Sequence, residues 1–108
     1  MTIAIDSYTA EGPYEDSSQL SFLLRSVQGV YVVLTRSAVW QNWNVVDVGE
    51  ASNVQNRIRT HDRRKDWVRY NEGVLAIAVI YTPASTDHER WLLEQHLRRL
   101  YNPPCGER

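Results

Sequence analysis

One cysteine, Cys105, stands among 108 residues. The chain can therefore form no internal disulfide and no cysteine-rich metal site, and a reducing, cytoplasmic setting is expected. No apolar run approaches the roughly 20 residues needed to cross a bilayer. The opening stretch, "MTIAIDSYTAEGPYED", lacks the basic start and long apolar segment of a signal peptide. Charge of either sign is nearly balanced, at a net −1, which excludes the composition of a generic nucleic-acid coat. Internal repeats and low-complexity tracts are also absent.

What remains suits one small domain. Hydrophobic residues make up 43% of the chain, enough for a single core at this size. Four Trp and six Tyr give that core large buried area per residue. The charge balance hides an asymmetry. Residues 1–28 carry Asp6, Glu11, Glu15 and Asp16 against Arg25, a net −3. Residues 57–69, "RIRTHDRRKDWVR", carry Arg57, Arg59, Arg63, Arg64, Lys65 and Arg69 against Asp62 and Asp66, a net +4. Such a patch can hold phosphates in a neutral protein, or it can be a solvated helix face. An acidic arm could also cover it.

Residues 1–16 are polar, contain Gly12-Pro13, and read as an arm or loosely attached strand. The spacing of Leu20, Leu23, Leu24 and Val27 predicts a short helix within 17–27. "GVYVVLTR" (29–36) is a β-branched strand after a glycine. "SAVWQNWN" (37–44) is a long hairpin loop, and "VVDVG" (45–49) is the returning strand. Residues 50–65 read as a helix with Ser52 or Asn53 at its cap. "GVLAIAVIYT" (73–82) is nearly continuously apolar, so it is a central strand buried on both faces. Thr86-x-x-Glu89 is a capping box opening a helix over 86–101, which Asn102-Pro103-Pro104 ends. The order β-β-α-β-α predicts an α/β (α+β) fold with a small three-stranded antiparallel or mixed sheet flanked by helices. Residues 1–28 would be an acidic extension and 29–108 the domain.

Within this frame Val54, Arg57, Ile58 and His61 fall on one side of the first long helix. Arg57 and His61, four apart, can reach one spot near the sheet. An arginine on a half-buried face needs an anion, either a protein carboxylate or a phosphate. On the last helix Leu93, Leu97 and Leu100 form an apolar stripe, with Glu94 at its margin. Arg90 and Arg98, four residues either side, are surface partners for that carboxylate, worth about 0.3–0.5 kcal/mol each. Tyr31 and Val33 share one face of the first long strand, Val30 and Val32 the other.

From residue 29 to about 106, the chain resembles the GIY-YIG nuclease superfamily. "GVY" (29–31) and "DVG" (47–49) stand where its two signature tripeptides stand. "GEASNVQNRIRTH" (49–61) resembles the following segment, with an arginine eight residues after the glycine and a histidine four later. "ERWLLEQHLRRLYNPP" (89–104) resembles the C-terminal helix of the excision-repair branch. The resemblance implies a metal-dependent endonuclease cutting DNA, or RNA. Tyr31 would help activate a water, Arg57 would hold the scissile phosphate with His61 beside it, and Glu94 would bind a single Mg²⁺ or Mn²⁺. Arg57, Arg59, Arg63, Arg64 and Lys65 would grip the nucleic acid.

The departures are specific. Asp47 replaces the second-motif tyrosine. As an anion it repels phosphate unless paired or metal-bound. It could act as a substitute base, a second metal ligand, or a salt-bridge partner, for instance of Arg57. Gly106 stands near the family's asparagine position and cannot replace it. The hairpin spacer 32–46 is longer than usual. A catalytically inactive nucleic-acid-binding module is the first alternative. The second is a protein-interaction domain using Trp40 and Trp43 as anchors, with a protein partner or a second copy of the chain.

Overall fold

The computed structural model describes residues 1–106. Its strands are β1 (Thr2–Ile5), β2 (Tyr8–Glu15), β3 (Gly29–Arg36), β4 (Asn44–Ala51) and β5 (Val74–Tyr81). The helices are α1 (Leu20–Leu23), α2 (Val54–Arg59), α3 (Arg64–Arg69) and α4 (Asp87–Tyr101). All strands join one antiparallel sheet in the order β1-β2-β5-β3-β4.

The α+β class holds, but the sheet has five strands rather than three. The polar N-terminal stretch is a β-hairpin whose second strand pairs with β5, Tyr14 opposite Ile77 and Glu15 opposite Ala76. Pro13, which has no N–H to give, sits where that register shifts between Glu11 and Tyr14. The strands within residues 2–15 thus belong to the same sheet as the rest.

Strand alternation sorts the core into two layers. Tyr31, Val33, Leu75, Ile77 and Val79 face one side, where they meet Leu20, Leu24, Val54, Ile58 and Trp67 from α1, α2 and α3. Val30, Val32, Leu34, Val48, Ala78 and Ile80 face the other, against Leu97 of α4 and Ile5 and Ala10 of the N-terminal hairpin. β5 is buried on both faces, as its unbroken apolar run requires. On α4 the buried stripe is narrower than expected: Leu97 is buried and Leu100 exposed.

The expected helix over 50–65 is two short helices. Asn53 does cap the first, its side chain accepting from the Asn56 amide. The helix stops at Thr60, whose hydroxyl donates back to the Asn56 carbonyl at 3.0 Å, a competing bond that loosens a helix end. α4 opens with the expected Thr86/Glu89 capping box and ends at Asn102 in the left-handed region, φ 47°. Among the described residues no helix is long and apolar enough to cross a membrane.

Candidate active site at the edge of β4

Register brings the first pair of site residues together. Tyr31 lies directly opposite Gly49 across the β3–β4 ladder, and its phenol covers that glycine. A Cβ at position 49 would strike the Tyr31 hydroxyl and ring, so any other residue there displaces the tyrosine. The hydroxyl meets His61 Nε2 at 2.5 Å, with the two rings edge to face at 5.5 Å.

His61 lies in the link between α2 and α3. Its Nδ1 accepts the backbone N–H of Arg63 at 3.0 Å. A neutral imidazole has one N–H, so the proton sits on Nε2 and is donated to the Tyr31 oxygen. The phenol's own proton is therefore not held by His61. Burial pushes the Tyr31 hydroxyl up to about 12, against the pull of the Arg57 and Arg63 charges. Burial, aided by the same two cations, pushes His61 down to about 4. Both are neutral at pH 7. Tyr31 is only 1% exposed, and half-exposed Arg57 is the outer member of the group. Its guanidinium donates to Asp62 at 3.2 Å, a carboxylate that is itself largely in solvent.

Asp47 is fully buried and holds four donors. They are the Val48 amide at 2.8 Å, Arg63 Nε at 2.9 Å, Trp67 Nε1 at 2.7 Å and Arg98 Nη2 at 2.9 Å. Its salt-bridge partners are Arg63 and Arg98, not Arg57. Arg98 comes from α4 on the opposite face of the sheet and rounds the β4 edge to reach it. It also donates to the carbonyls of Cys105 and Val48. The segment after α4 follows the same edge, the Cys105 amide donating to the Val46 carbonyl at 3.1 Å. Gly106, at φ 87°, lies against the Arg98–Asp47 pair, where a Cβ would collide with both.

Glu94 stands one turn before Arg98. Gln95 donates to its Oε1 at 2.8 Å, while Oε2 is 3.9 Å from Arg98 Nε, beyond hydrogen-bond reach. Burial raises its pKa, Glu50 adds to that, and Arg98 and Arg63 oppose. Arg90 is not its partner, being buried on Glu50 and Asp87; Arg98 keeps a long ion pair with it at 3.9 Å but is buried, with its closer carboxylate partner Asp47. Among the described residues no three His, Cys, Asp or Glu side chains gather as a metal-holding group. A largely buried carboxylate with one oxygen that accepts no hydrogen bond nevertheless fits a single Mg²⁺ or Mn²⁺, whose shell is usually completed by waters and phosphate oxygens.

The basic segment does not form one patch. Arg57 and Arg63 turn toward Tyr31. Arg64 donates to both oxygens of Asp16 at 2.9 and 3.1 Å, so the acidic N-terminal stretch covers one cation. Arg59 and Lys65 are exposed. Arg63, whose charge acts on Tyr31, His61 and Glu94 alike, joins the two halves of the site.

Three members escaped the sequence reading: Asp62 as the partner of Arg57, Trp67 as a donor to Asp47, and Arg98 as its buried counterion. The one available signal was Arg98's place beside Leu97 and four residues after Glu94. No family model, curated protein or solved structure matches the chain.

Proposed function

We propose that the chain is a divergent GIY-YIG-type, metal-dependent endonuclease acting on phosphodiester bonds of DNA. The supporting observation is the Tyr31–His61 pair at 2.5 Å with Arg57 at its outer side. Attack on a phosphodiester needs a cation to seat the phosphate and a group to orient and deprotonate the water. Arg57 takes the first role through its planar fork. Its exposed pair with Asp62 is weak, and an incoming phosphate replaces that carboxylate. Tyr31 takes the second as the phenolate: its phenol proton is first released to solvent, and the phenolate oxygen then accepts a proton from the attacking water. That phenolate is stabilised by the His61 Nε2–H and by the nearby Arg57 and Arg63 guanidinium groups. Glu94 would hold the Mg²⁺ or Mn²⁺, which when bound supplies charge stabilisation at the phosphate oxygens. Asp47 has no part in the chemistry on this reading. Its carboxylate ties β4 to α3 and α4.

Two observations favour a second reading, a module that grips nucleic acid without cutting it. Asp47 is locked between two arginines, and Tyr31 is almost wholly covered. Nicking of supercoiled plasmid in Mg²⁺ or Mn²⁺ separates the two. Nicking by the wild type, lost in Glu94→Ala and Arg57→Ala of unchanged thermal stability, supports the nuclease. Cleavage that survives Glu94→Ala removes the metal role. Silence in every protein, with salt-dependent DNA binding weakened by Arg57→Ala, supports the module.

A further inference from the structure

The β3–β4 hairpin ends in an anomaly. The Gln41 amide donates to the Ala38 carbonyl at 3.0 Å, closing a β-turn whose two corners are Val39 and Trp40. Turn corners favour Gly, Pro, Asn and Asp, which have conformational reasons to be there. Here they carry an indole 81% exposed and a valine 75% exposed. The loop beneath them is braced. Arg36 Nη1 donates to the Val39 carbonyl at 3.2 Å, and its guanidinium lies 4.0 Å over the Trp43 ring. Trp43 packs on the core layer under α4. Asn44 fixes the hairpin's base by donating to Glu72 at 2.9 Å. Of the two loop tryptophans, one is a strut and the other is held out in water. A braced loop loses little further backbone entropy when a flat partner covers its indole.

We infer that Trp40 is a stacking platform for an unpaired nucleobase. This rests on the nucleic-acid reading above and adds to it a substrate class, a strand with exposed bases. Residues 36–46 contain no acid, so a polyanion meets no repulsion from the hairpin's own side chains, and the Glu72 carboxylate at its base is tied to Asn44. Gln41 and Asn42 are exposed beside the indole and offer amides to base edges. An aromatic face accepts any base, whereas a closed duplex hides its bases from a blunt turn. The tip stands roughly 20 Å along β3 from Tyr31, about six stacked nucleotides away. A strand held at Arg57 can therefore reach Trp40. A lipid-dipping tip would want free cations around it, and Arg36 is instead fixed on Trp43.

The test is binding in EDTA, so that cleavage plays no part, followed by tryptophan fluorescence. The probes are a short single-stranded oligothymidine and a blunt duplex of the same length. The wild type binds the single strand with quenching. Trp40→Ala loses about tenfold or more in affinity together with the quenching component, and Trp40→Phe retains most of the affinity. Because Trp40 is exposed, both variants keep the wild-type melting temperature. Equal single-strand affinity in wild type and Trp40→Ala overturns the proposal, as does no binding by the wild type. So does an equal effect of Trp40→Ala on the duplex. A change of molecular mass in Trp40→Ala by light scattering would assign the tip to a second copy, and a blue shift with anionic vesicles would assign it to lipid; either overturns it. Plasmid nicking with Trp40-independent binding fails this inference alone. Trp40-dependent binding without nicking fails the nuclease reading alone.

Discussion

His61 is forced into one tautomer by a backbone amide, and two pH predictions follow at the scale of this residue. The first concerns rate. With His61 already neutral above about pH 4 and Tyr31 ionising only near 12, cleavage limited by phenolate formation climbs continuously from pH 6 to 9. A plateau across that range would mean that phenolate formation does not limit the rate. The second concerns stability. His61 has its ordinary value near 6.5 when unfolded and about 4 when folded, so between those values the unfolded chain binds more protons. Stability is therefore full above about 6.5 and falls as pH drops toward 4, by about 3 kcal/mol at the lower end. The carboxylates of Asp6, held low by His96, and of Glu89, held low by the Thr86 amide, lose their contributions only at lower pH still. Urea midpoints at pH 7 and pH 4.5 check this, and the difference should shrink in His61→Phe. An undiminished difference would put the acid sensitivity elsewhere. Strand alternation, a local rule, puts Tyr31 and Val33 on one face in the sequence as in the fold. The helical spacing that singles out His61 belongs to a helix that stops at Arg59, and its contact with Tyr31, 30 residues away, was not readable. Nor were Asp47's partners, because 16 residues separate it from Arg63 and 51 from Arg98.

At the scale of elements, the site depends on how the β4 edge is closed. An exposed edge strand leaves backbone groups unpaired. Here α4 sends Arg98 round the edge, the tail after Asn102 lies along it, and Asp47 receives both this arginine and the one preceding α3. Removing one member of a buried charge group leaves the others unpaired, which typically costs about 3–5 kcal/mol. Asp47→Asn is expected to lower stability by that order in chemical denaturation, while Arg57→Ala, half exposed, stays within about 1 kcal/mol. Equal stability in Asp47→Asn and wild type would refute a structural Asp47. Gly106→Asn sharpens the point. It introduces the asparagine that the proposed GIY-YIG reading expects near that position, and asparagine tolerates positive φ. Its Cβ nonetheless falls on Arg98 and Asp47, so the variant melts lower and gains no cleavage. A rise in nicking would show that the tail can move. Here too the sequence was informative only in part. The Thr86 and Asn53 caps could be read from residues three apart. The break after Arg59 could not, since no Gly or Pro marks it, and the His61 contact that accompanies it is with a tyrosine on another strand.

The whole molecule corrects the division at residue 28. β1 has only four residues, β2 has few β-branched ones and contains Gly12-Pro13, and the pairing of β2 with β5 spans more than half the chain, so no local pattern announces it. In the folded sheet this hairpin covers one edge of β5, adds Ile5 and Ala10 to the layer under α4, and delivers Asp16 to Arg64. A chain cut to residues 29–108 would expose the β5 backbone that β2 now pairs, along a strand as apolar as any in the protein. Such an edge is a template for aggregation. The truncated chain is therefore expected to be insoluble, or to keep far-ultraviolet helix and strand signals while losing the near-ultraviolet tryptophan signal that Trp67 gives in its fixed environment. Cutting only residues 1–6 removes β1 but leaves β2 on β5, and should cost stability without loss of the native near-ultraviolet spectrum. A soluble, cooperatively unfolding 29–108 fragment would mean that the three strands β5-β3-β4 and their helices suffice. The acidic hairpin would then be an accessory, and its contact with Arg64 a cover over the basic segment rather than a condition of the fold.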